Sequence, residues 1–342
     1  MAFRTDVCRE VIDHPAAWTT RSLGGKQGLL YPLSERHLAA LDELLARLRH
    51  LKPQQATRSD FNHPVINGLL ADLKDIIMNG RGAVVITGLT RERYDEDAFE
   101  RIYWGFGTHW GDAAVQSSRG DRLGHVRDVK DNPHRRGYQT SAELLYHTDA
   151  YETVGLMCVQ KAKAGGESHL VSVLAMHNEI VRNRPELLDP LYRGFPTGPV
   201  EARGTPYAVT DHDVPVFSCL DGKVSCLYSR TFMRNAADVL GRPVPADLEE
   251  ACDYIDYLSN HPDLRLEFML EPGEMMVWNN FTTLHARKAF EDSPEHTRHL
   301  LRLWLNVPNG RPVIPEILTW GRTYDILMKE RQVQAAAPAP VN

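Results

Sequence analysis

The chain has 342 residues, of which 42% are hydrophobic and 25% charged, enough apolar mass for one large core or two modest ones. This composition excludes a disordered chain, a collagen-like protein and a coiled-coil array. The net charge of −6 arises from 45 acidic and 39 basic residues scattered along the sequence, so no basic face is available and we expect no nucleic-acid partner.

The cysteines and the N-terminus indicate a cytoplasmic location. The five cysteines are odd in number and contain no Cys-x-x-Cys pair, which argues against a disulfide framework and against a thiolate zinc site. Residues 1–15 have no apolar run long enough for a signal peptide. No stretch approaches the roughly 20 apolar residues that span a bilayer, so we expect a cytoplasmic protein without a membrane partner.

The first part of the chain is predicted to be rich in helix. Leucines recur at three- and four-residue spacing from Leu38 to Leu48, behind the capping residue Ser34. The later elements of this part are a helix over 64–78, a buried strand over 83–88 and a helix over 95–104. We predict that residues 1–80 form a helical N-terminal extension packed on the core.

From about residue 150 the pattern changes to strands. Apolar runs predict strands over 154–161, 168–173, 216–220, 224–229, 264–270, 275–278 and 298–307. Helices interrupt them over 173–184, behind the cap Ser172, and over 246–258. Short turns, such as the hairpin signal Asp221-Gly222, predict antiparallel strands in a jelly roll or barrel, which forms the core over residues 81–330. The Ala- and Pro-rich tail, residues 331–342, is predicted to be disordered.

Three His-x-acid triplets are candidates for metal binding, whereas chance supplies about two in a chain of this composition. The triplet at 177–179 falls within a predicted helix and is interpreted as solvated or capping, and the triplet at 261–263 marks a turn after a helix. His147-Thr148-Asp149 instead precedes a predicted strand. On an extended segment, residues i and i+2 point to one side, so His147 and Asp149 can bind one ion.

A third ligand is predicted at His285, in a polar loop that follows the strand over 275–278 and opens into the barrel mouth. Two neutral imidazoles and one carboxylate on one face, with the opposite positions open, suit Fe(II) for oxygen chemistry. A lone histidine in a loop is more often structural, so this prediction depends on the residues around it.

The last predicted strand adds two inward-facing arginines. One face of this strand carries Arg298, Leu300, Arg302 and Trp304, whereas the other carries His299, Leu301, Leu303 and Leu305. Because the leucine face must pack against other elements, the arginine face looks inward. A buried guanidinium requires an anion and matches a carboxylate with a fork of donors, although an internal salt bridge to Asp or Glu is the alternative.

Four motifs occur in a specific order and spacing: His147-Thr148-Asp149, Gly165-Gly166-Glu167-Ser168, His285-Ala286-Arg287 and Arg298-x-x-x-Arg302. Together they resemble the taurine dioxygenase / 2,4-dichlorophenoxyacetate dioxygenase family, also called clavaminate synthase-like, of Fe(II)- and 2-oxoglutarate-dependent oxygenases. The resemblance covers roughly residues 80–310.

The resemblance implies a mainly β fold with flanking helices, the double-stranded β-helix or jelly roll. It implies a dioxygenase that couples decarboxylation of 2-oxoglutarate to succinate with hydroxylation, desaturation or a related oxidation of a small, anionic or amino-acid-like substrate. Fe(II) is the implied cofactor, and 2-oxoglutarate and O2 are the cosubstrates. The implied iron ligands, which form the catalytic centre, are His147, Asp149 and His285.

By the same resemblance, Arg298 binds the distal carboxylate of 2-oxoglutarate and Ser168 assists it, although the family more often has Thr there. Arg302 then lies near the other carboxylate or near an anionic group of the substrate. Tyr138 and Gln139 belong to a segment with the composition of a substrate lid, for which an ordinary surface loop is the alternative.

Trp278 and Trp304 are interpreted as core aromatics.

Two competing functions are less well supported by the sequence than an oxygenase. A non-catalytic jelly-roll protein that binds a metal or a small acid would not need all three ligands and the arginine pair. A zinc hydrolase would need a general base beside the ion, and no Glu is adjacent to these ligands as in His-Glu-x-x-His.

Overall fold

The computed structural model of the chain describes residues 6–117, 120–130, 137–200, 203–318, 325–327 and 329–330. The tail predicted to be disordered, residues 331–342, lies outside them. The α-helices of the described residues are α1 (Thr20–Leu23), α2 (Glu35–Leu48), α3 (Pro64–Met78), α4 (Glu96–Trp110), α5 (Val173–Asn183), α6 (Leu188–Arg193), α7 (Arg230–Leu240) and α8 (Ala246–Asn260).

The strands of the same residues are β1 (Leu30–Pro32), β2 (Ala83–Thr87), β3 (Asp112–Ala113), β4 (Gly124–Val126), β5 (Leu144–His147), β6 (Thr153–Gln160), β7 (Ala164–Gly165), β8 (Ser168–Ser172), β9 (Phe217–Leu220), β10 (Lys223–Cys226), β11 (Leu266–Phe268), β12 (Met275–Asn279), β13 (Thr283–Arg287), β14 (Phe290–Glu291) and β15 (His299–Asn306).

Two sheets form the centre of the fold. The larger has the order β1-β2-β12-β6-β15-β3, with β4 also paired to β15, and the smaller has the order β11-β8-β13-β5. Among the described strands of these two sheets, β1 and β2 form the one parallel pair. Side chains of both sheets line one cavity. The fold is therefore the predicted jelly roll, mainly β with flanking helices.

Helices cover the outer faces of the sheets. On the larger sheet, α2, α3 and α4 join Leu301, Leu303 and Leu305 of β15 in one apolar cluster. On the smaller sheet, α5, α6 and α8 form a second cluster with residues of β8 and β13. Among the described residues, none of the helices combines the length and the apolar character needed to cross a bilayer.

Several elements confirm the sequence predictions. The helix over 64–78 has the predicted bounds. Ser34 and Ser172 cap α2 and α5, because each side chain accepts a hydrogen bond from a backbone N–H group of the first turn. The hairpin between β9 and β10 turns at Asp221 and Gly222, whose φ angles of 52° and 71° are both in the left-handed region that such a turn requires.

Three predictions are wrong. The strand predicted over 224–229 ends earlier, with β10, because Ser229 caps a helix, α7, that the sequence analysis missed. His285 lies within β13 and not in a loop, since His285 and Arg287 of this strand face a cavity and not the apolar core. His177 is fully buried in α5 and not solvated; its Nε2 lies 3.0 Å from a tyrosine hydroxyl, which satisfies a polar group inside the protein.

Candidate active site

A cavity of about 770 Å³ lies between the two sheets. From the larger sheet, the inward faces of β6, β12 and β15 line it, and from the smaller sheet β5, β8 and β13. The pleat of β15 directs alternate side chains to opposite faces of the sheet. Arg302 and Trp304 therefore line the cavity, while Leu301 and Leu303 pack in the apolar cluster beneath the helices. The arginine face thus looks inward, as predicted.

The His147 triplet and His285 meet at one wall of this cavity. His147, the last residue of β5, is directly opposite His285 of β13 in the antiparallel register. Asp149 follows, with Oδ1 3.8 Å from Nε2 of His147 and Oδ2 3.5 Å from Nε2 of His285. One ligand atom of each residue lies within 4.8 Å of the others, and no other group of three His, Cys, Asp or Glu in the described residues is so arranged.

Neighbouring polar groups orient these side chains. Nδ1 of His147 lies 2.7 Å from the carbonyl oxygen of Leu145, which can only accept, so the ring proton is on Nδ1 and Nε2 keeps its lone pair. The side chain of Asn280 accepts from the N–H of Asp149 and donates to its carbonyl. Trp304 donates from Nε1 to Oδ2 of Asp149 over 2.8 Å.

The charges of this cluster suit a divalent metal. Burial, followed by the neighbouring His285, lowers the pKa of His147 to about 4, so its imidazole is neutral at pH 7. Burial alone would raise the pKa of Asp149, but His285, His147 and Arg302 together hold that pKa well below its usual range. Two imidazoles and one ionised carboxylate that converge from one side fit Fe(II).

Arg298 immediately precedes β15, and only 4% of it is exposed. Its guanidinium makes no hydrogen bond or ion pair with the described residues, and Nη1 is fully buried. The internal salt bridge, which was the alternative for this residue, is therefore absent from the described part of the chain. Burial lowers the pKa of Arg298 to about 10, which is the expected effect on a buried cation without an ion-pair partner.

The glycine motif packs directly on this arginine. A Cβ atom at Gly166 would lie 3.0 Å from Nε of Arg298, and Gly165 and Gly166 both have positive φ. Ser168 follows at the start of β8 and lines the same cavity. Its hydroxyl makes no hydrogen bond within the described residues, so it is available to a ligand.

Arg302 lies deeper on β15, between two aromatic rings. Its Cζ is 4.2 Å from the ring centroids of both Tyr138 and Trp304, and its Nε donates to Oε1 of Gln116 over 2.7 Å. Tyr138 lines the cavity, whereas Gln139, its neighbour on the same 3₁₀ turn, is not among the described residues that do so.

Further residues contribute to this site. Trp304, predicted to be a core aromatic, also lines the cavity and hydrogen-bonds Asp149. Gln116 and Arg287 also contribute, although neither is a predicted site residue. The position of Arg287 in the cavity could have been predicted, because Arg287 is two residues after His285 and alternation places both side chains on one face of the strand. No pattern in the sequence indicates Gln116, since its partner Arg302 is 186 residues away.

Comparisons with known proteins show which family and which proteins the chain is similar to. The model of the family described as "Taurine catabolism dioxygenase TauD, TfdA family" matches residues 17–304. The FR-33289 synthase of Streptomyces rubellomurinus is 29% identical over 337 residues, which cover 92% of this chain and 97% of that protein. The uridine-5'-phosphate dioxygenase of an Amycolatopsis species is 28% identical over 201 residues, which cover 54% and 69%.

A solved structure shares the fold. An asparagine oxygenase in complex with Fe(II), 2S,3S-3-hydroxyasparagine and succinate superposes with a TM-score of 0.66 at 17% identity, over 81% of this chain and 93% of that one. The similarity at this identity concerns the fold alone, and it agrees with the jelly roll described above.

Proposed function

The chain belongs to the taurine catabolism dioxygenase TauD, TfdA family, and on that premise we propose a role for each residue of its cavity. Members of this family are Fe(II)- and 2-oxoglutarate-dependent oxygenases, so the chain is an oxidoreductase that uses Fe(II), 2-oxoglutarate and O2. The alternative of a non-catalytic binding protein is not favoured.

We assign the Fe(II) ligands to His147, Asp149 and His285. The observation that carries this assignment is the convergence of their three ligand atoms within 4.8 Å. When bound, the metal supplies the oxidation in which 2-oxoglutarate and O2 give succinate and CO2, and the second oxygen atom is available for the substrate. The Leu145 carbonyl holds His147 with Nε2 unprotonated, and the Asn280 amide holds the Asp149 backbone in place.

Arg298 and Ser168 are proposed to bind the distal carboxylate of 2-oxoglutarate. The support is a buried guanidinium without a counter-charge, next to a hydroxyl without a partner, in the cavity that also contains the triad. A carboxylate would supply the missing negative charge and accept both kinds of donor.

We propose that the substrate is small and anionic or amino-acid-like, and that Arg302 binds its acidic group while the segment that contains Tyr138 and Gln139 covers it. The support is that Arg302 points into the cavity and lies close enough to Asp149 to lower the pKa of that carboxyl group. Two similar proteins are named for uridine 5'-phosphate and asparagine, which carry a phosphate and a carboxylate respectively. The product would be hydroxylated, desaturated or otherwise oxidised.

We further propose a single oxygenase core over residues 81–330, with residues 1–80 packed on it, and a cytoplasmic location. The shared apolar cluster of α2, α3 and β15 supports the first. The cytoplasmic location is supported by the five cysteines, none of which forms a disulfide.

The test is a succinate assay with Fe(II), ascorbate and 2-oxoglutarate across amino acids, nucleoside 5'-phosphates and small acids. We expect succinate formation that a substrate stimulates, its loss in His147→Ala, and its retention in His261→Ala, a matched histidine from a triplet that lies on a turn. Full activity in His147→Ala would contradict the assignment of the metal site.

A further inference from the structure

Arg287 is a second buried arginine in the cavity, two residues beyond His285 on β13. Only 6% of it is exposed. Its Nη2 donates to the carbonyl oxygens of Thr140, over 2.9 Å, and of Ala142. Its Nε and Nη1 are buried and have no hydrogen-bond partner among the described residues. Two carbonyl groups therefore anchor one edge of the guanidinium, and the rest of it is left without an acceptor.

The charge of Arg287 is also uncompensated. The described residues form no ion pair with it, and Asp128 acts on it only from beyond ion-pair distance. Arg298 is close by, since the Cζ atoms of Arg287 and Arg298 lie 4.8 and 5.1 Å from the ring centroid of Phe290. Two buried cations around one ring require an anion.

Neighbouring elements show where that anion belongs. Ser168 of β8 is directly opposite Arg287 of β13 in the antiparallel register, so their side chains are on the same face of the sheet. Gly166, two residues before Ser168, packs on the guanidinium of Arg298. The residues from Gly166 to Ser168 thus connect the two arginines and bring a free hydroxyl to both.

We propose that Arg287 shares the distal carboxylate of 2-oxoglutarate with Arg298 and Ser168, and that it couples this carboxylate to the segment over residues 137–143. This inference rests on the proposed function. A carboxylate has four acceptor positions, enough for two guanidinium groups and one hydroxyl. Arg287 is a binding residue for the cosubstrate and, through its contacts with the segment, a positioning residue for the substrate.

The segment over residues 137–143 contacts both proposed binding regions, and these contacts couple the cosubstrate to the substrate side of the cavity. The carbonyls of Thr140 and Ala142 are held by Arg287, and the ring of Tyr138 packs on Arg302, the proposed substrate residue. A cosubstrate that fixes the guanidinium of Arg287 therefore also fixes the backbone of residues 140–142. The substrate side of the cavity becomes ordered when 2-oxoglutarate is bound.

The test compares Arg287→Gln and Arg287→Lys with Arg81→Gln. Arg81 is a matched control, because it also donates to two backbone carbonyls, those of Leu29 and Ala83, but does not line the cavity. Calorimetry on protein loaded with Mn(II), which avoids turnover, measures the affinity for 2-oxoglutarate and for 2-oxobutyrate, which lacks the distal carboxylate. Amide hydrogen exchange over residues 137–146, with and without 2-oxoglutarate, reports on the segment.

We expect Arg287→Gln to weaken 2-oxoglutarate binding at least ten-fold while 2-oxobutyrate binding stays unchanged, and the exchange of the segment to lose its response to 2-oxoglutarate. Arg287→Lys should be intermediate, since it keeps the charge and loses the fork, and it serves in place of Arg287→Gln if that variant does not fold. Arg81→Gln should match the wild type in both readouts.

Unchanged affinity for 2-oxoglutarate in Arg287→Gln, or an equal loss for both ligands, would overturn the inference. So would a segment whose exchange still responds to 2-oxoglutarate in that variant. Wild-type protein that binds no 2-oxoglutarate would instead refute the proposed function, so the two failures are distinguishable.

Discussion

Arg298→Gln removes the guanidinium proposed to bind 2-oxoglutarate and leaves a neutral amide in its place. Arg298 is 4% exposed and has no acidic partner in the described part of the chain. The free energy lost on truncating a buried, hydrogen-bonded charge pair is about 2–5 kcal/mol. Because 1.4 kcal/mol corresponds to a factor of ten, the dissociation constant of 2-oxoglutarate should rise about 30- to 4,000-fold.

The Arg298→Gln variant should lose affinity for 2-oxoglutarate without losing stability in the absence of ligand. Removing one partner of an internal salt bridge would lower the free energy of unfolding by about 3–5 kcal/mol. Arg298 has no such partner, so the free energy of unfolding without ligand should stay within about 1 kcal/mol of the wild type, or rise. The two quantities together separate a binding residue from a structural one.

Calorimetry with 2-oxoglutarate and urea titration of the ligand-free protein measure these quantities. Arg298→Lys should bind 2-oxoglutarate with intermediate affinity, because it keeps the charge but not the fork. Arg93→Gln is the control, since Arg93 forms ion pairs with Glu35 and Asp42 away from the cavity. An affinity within three-fold of the wild type, or an unfolding free energy lowered by ~3 kcal/mol, would refute the reasoning.

Alanine at any one of the three proposed metal ligands should abolish tight Fe(II) binding and leave the circular dichroism spectrum unchanged, and a variant with unaltered affinity would remove that residue from the site. Arg302→Gln should retain substrate-independent decarboxylation of 2-oxoglutarate while product formation collapses, because the substrate is no longer positioned; loss of both would assign this arginine to the cosubstrate. Gly166→Ala should raise the dissociation constant of 2-oxoglutarate roughly ten-fold, since a φ of 84° strains any residue with a Cβ atom and that atom would lie only 3.0 Å from Nε of Arg298, which must shift; calorimetry would contradict this by giving the wild-type value. Burial lowers the pKa of His177 from 6.5 to about 4, so the unfolded chain takes up a proton first and stability falls, by at most ~3 kcal/mol, as the pH drops from 6.5 towards 4. His177→Gln should flatten that pH dependence in urea titrations, and an unchanged slope would show that another group causes it.

Where one face of an element is apolar, local patterns in the sequence were sufficient to predict which side chains point into the protein. Leu301, Leu303 and Leu305 of β15 pack under the helices, so alternation correctly placed Arg302 in the interior. The same rule failed for β13, because His285 and Arg287 are polar and yet line the cavity. A pattern that equates polar with exposed describes such a strand as a loop.

Contacts between distant parts of the chain could not be predicted from one sequence. The carbonyl groups that hold Arg287 are 145 and 147 residues away in the sequence. Helix α7 differs, because its signals are local: Ser229 caps its start, and Gly241, with a φ of 62°, ends it. The apolar run over 224–229 outweighed these signals in the prediction, whereas the partners of Arg287 are brought near only in the folded chain.

The two-sided character of β15 restricts how this protein can change during evolution. Deleting or inserting one residue in β15 would exchange the contents of its faces, moving Arg302 into the apolar cluster and Leu301 into the cavity. Such a change would remove stability and ligand binding in one step, so neither property could be lost and later regained separately. New substrate preferences should therefore arise in the irregular segments around the cavity, such as residues 137–143, where length can vary without shifting a pleat.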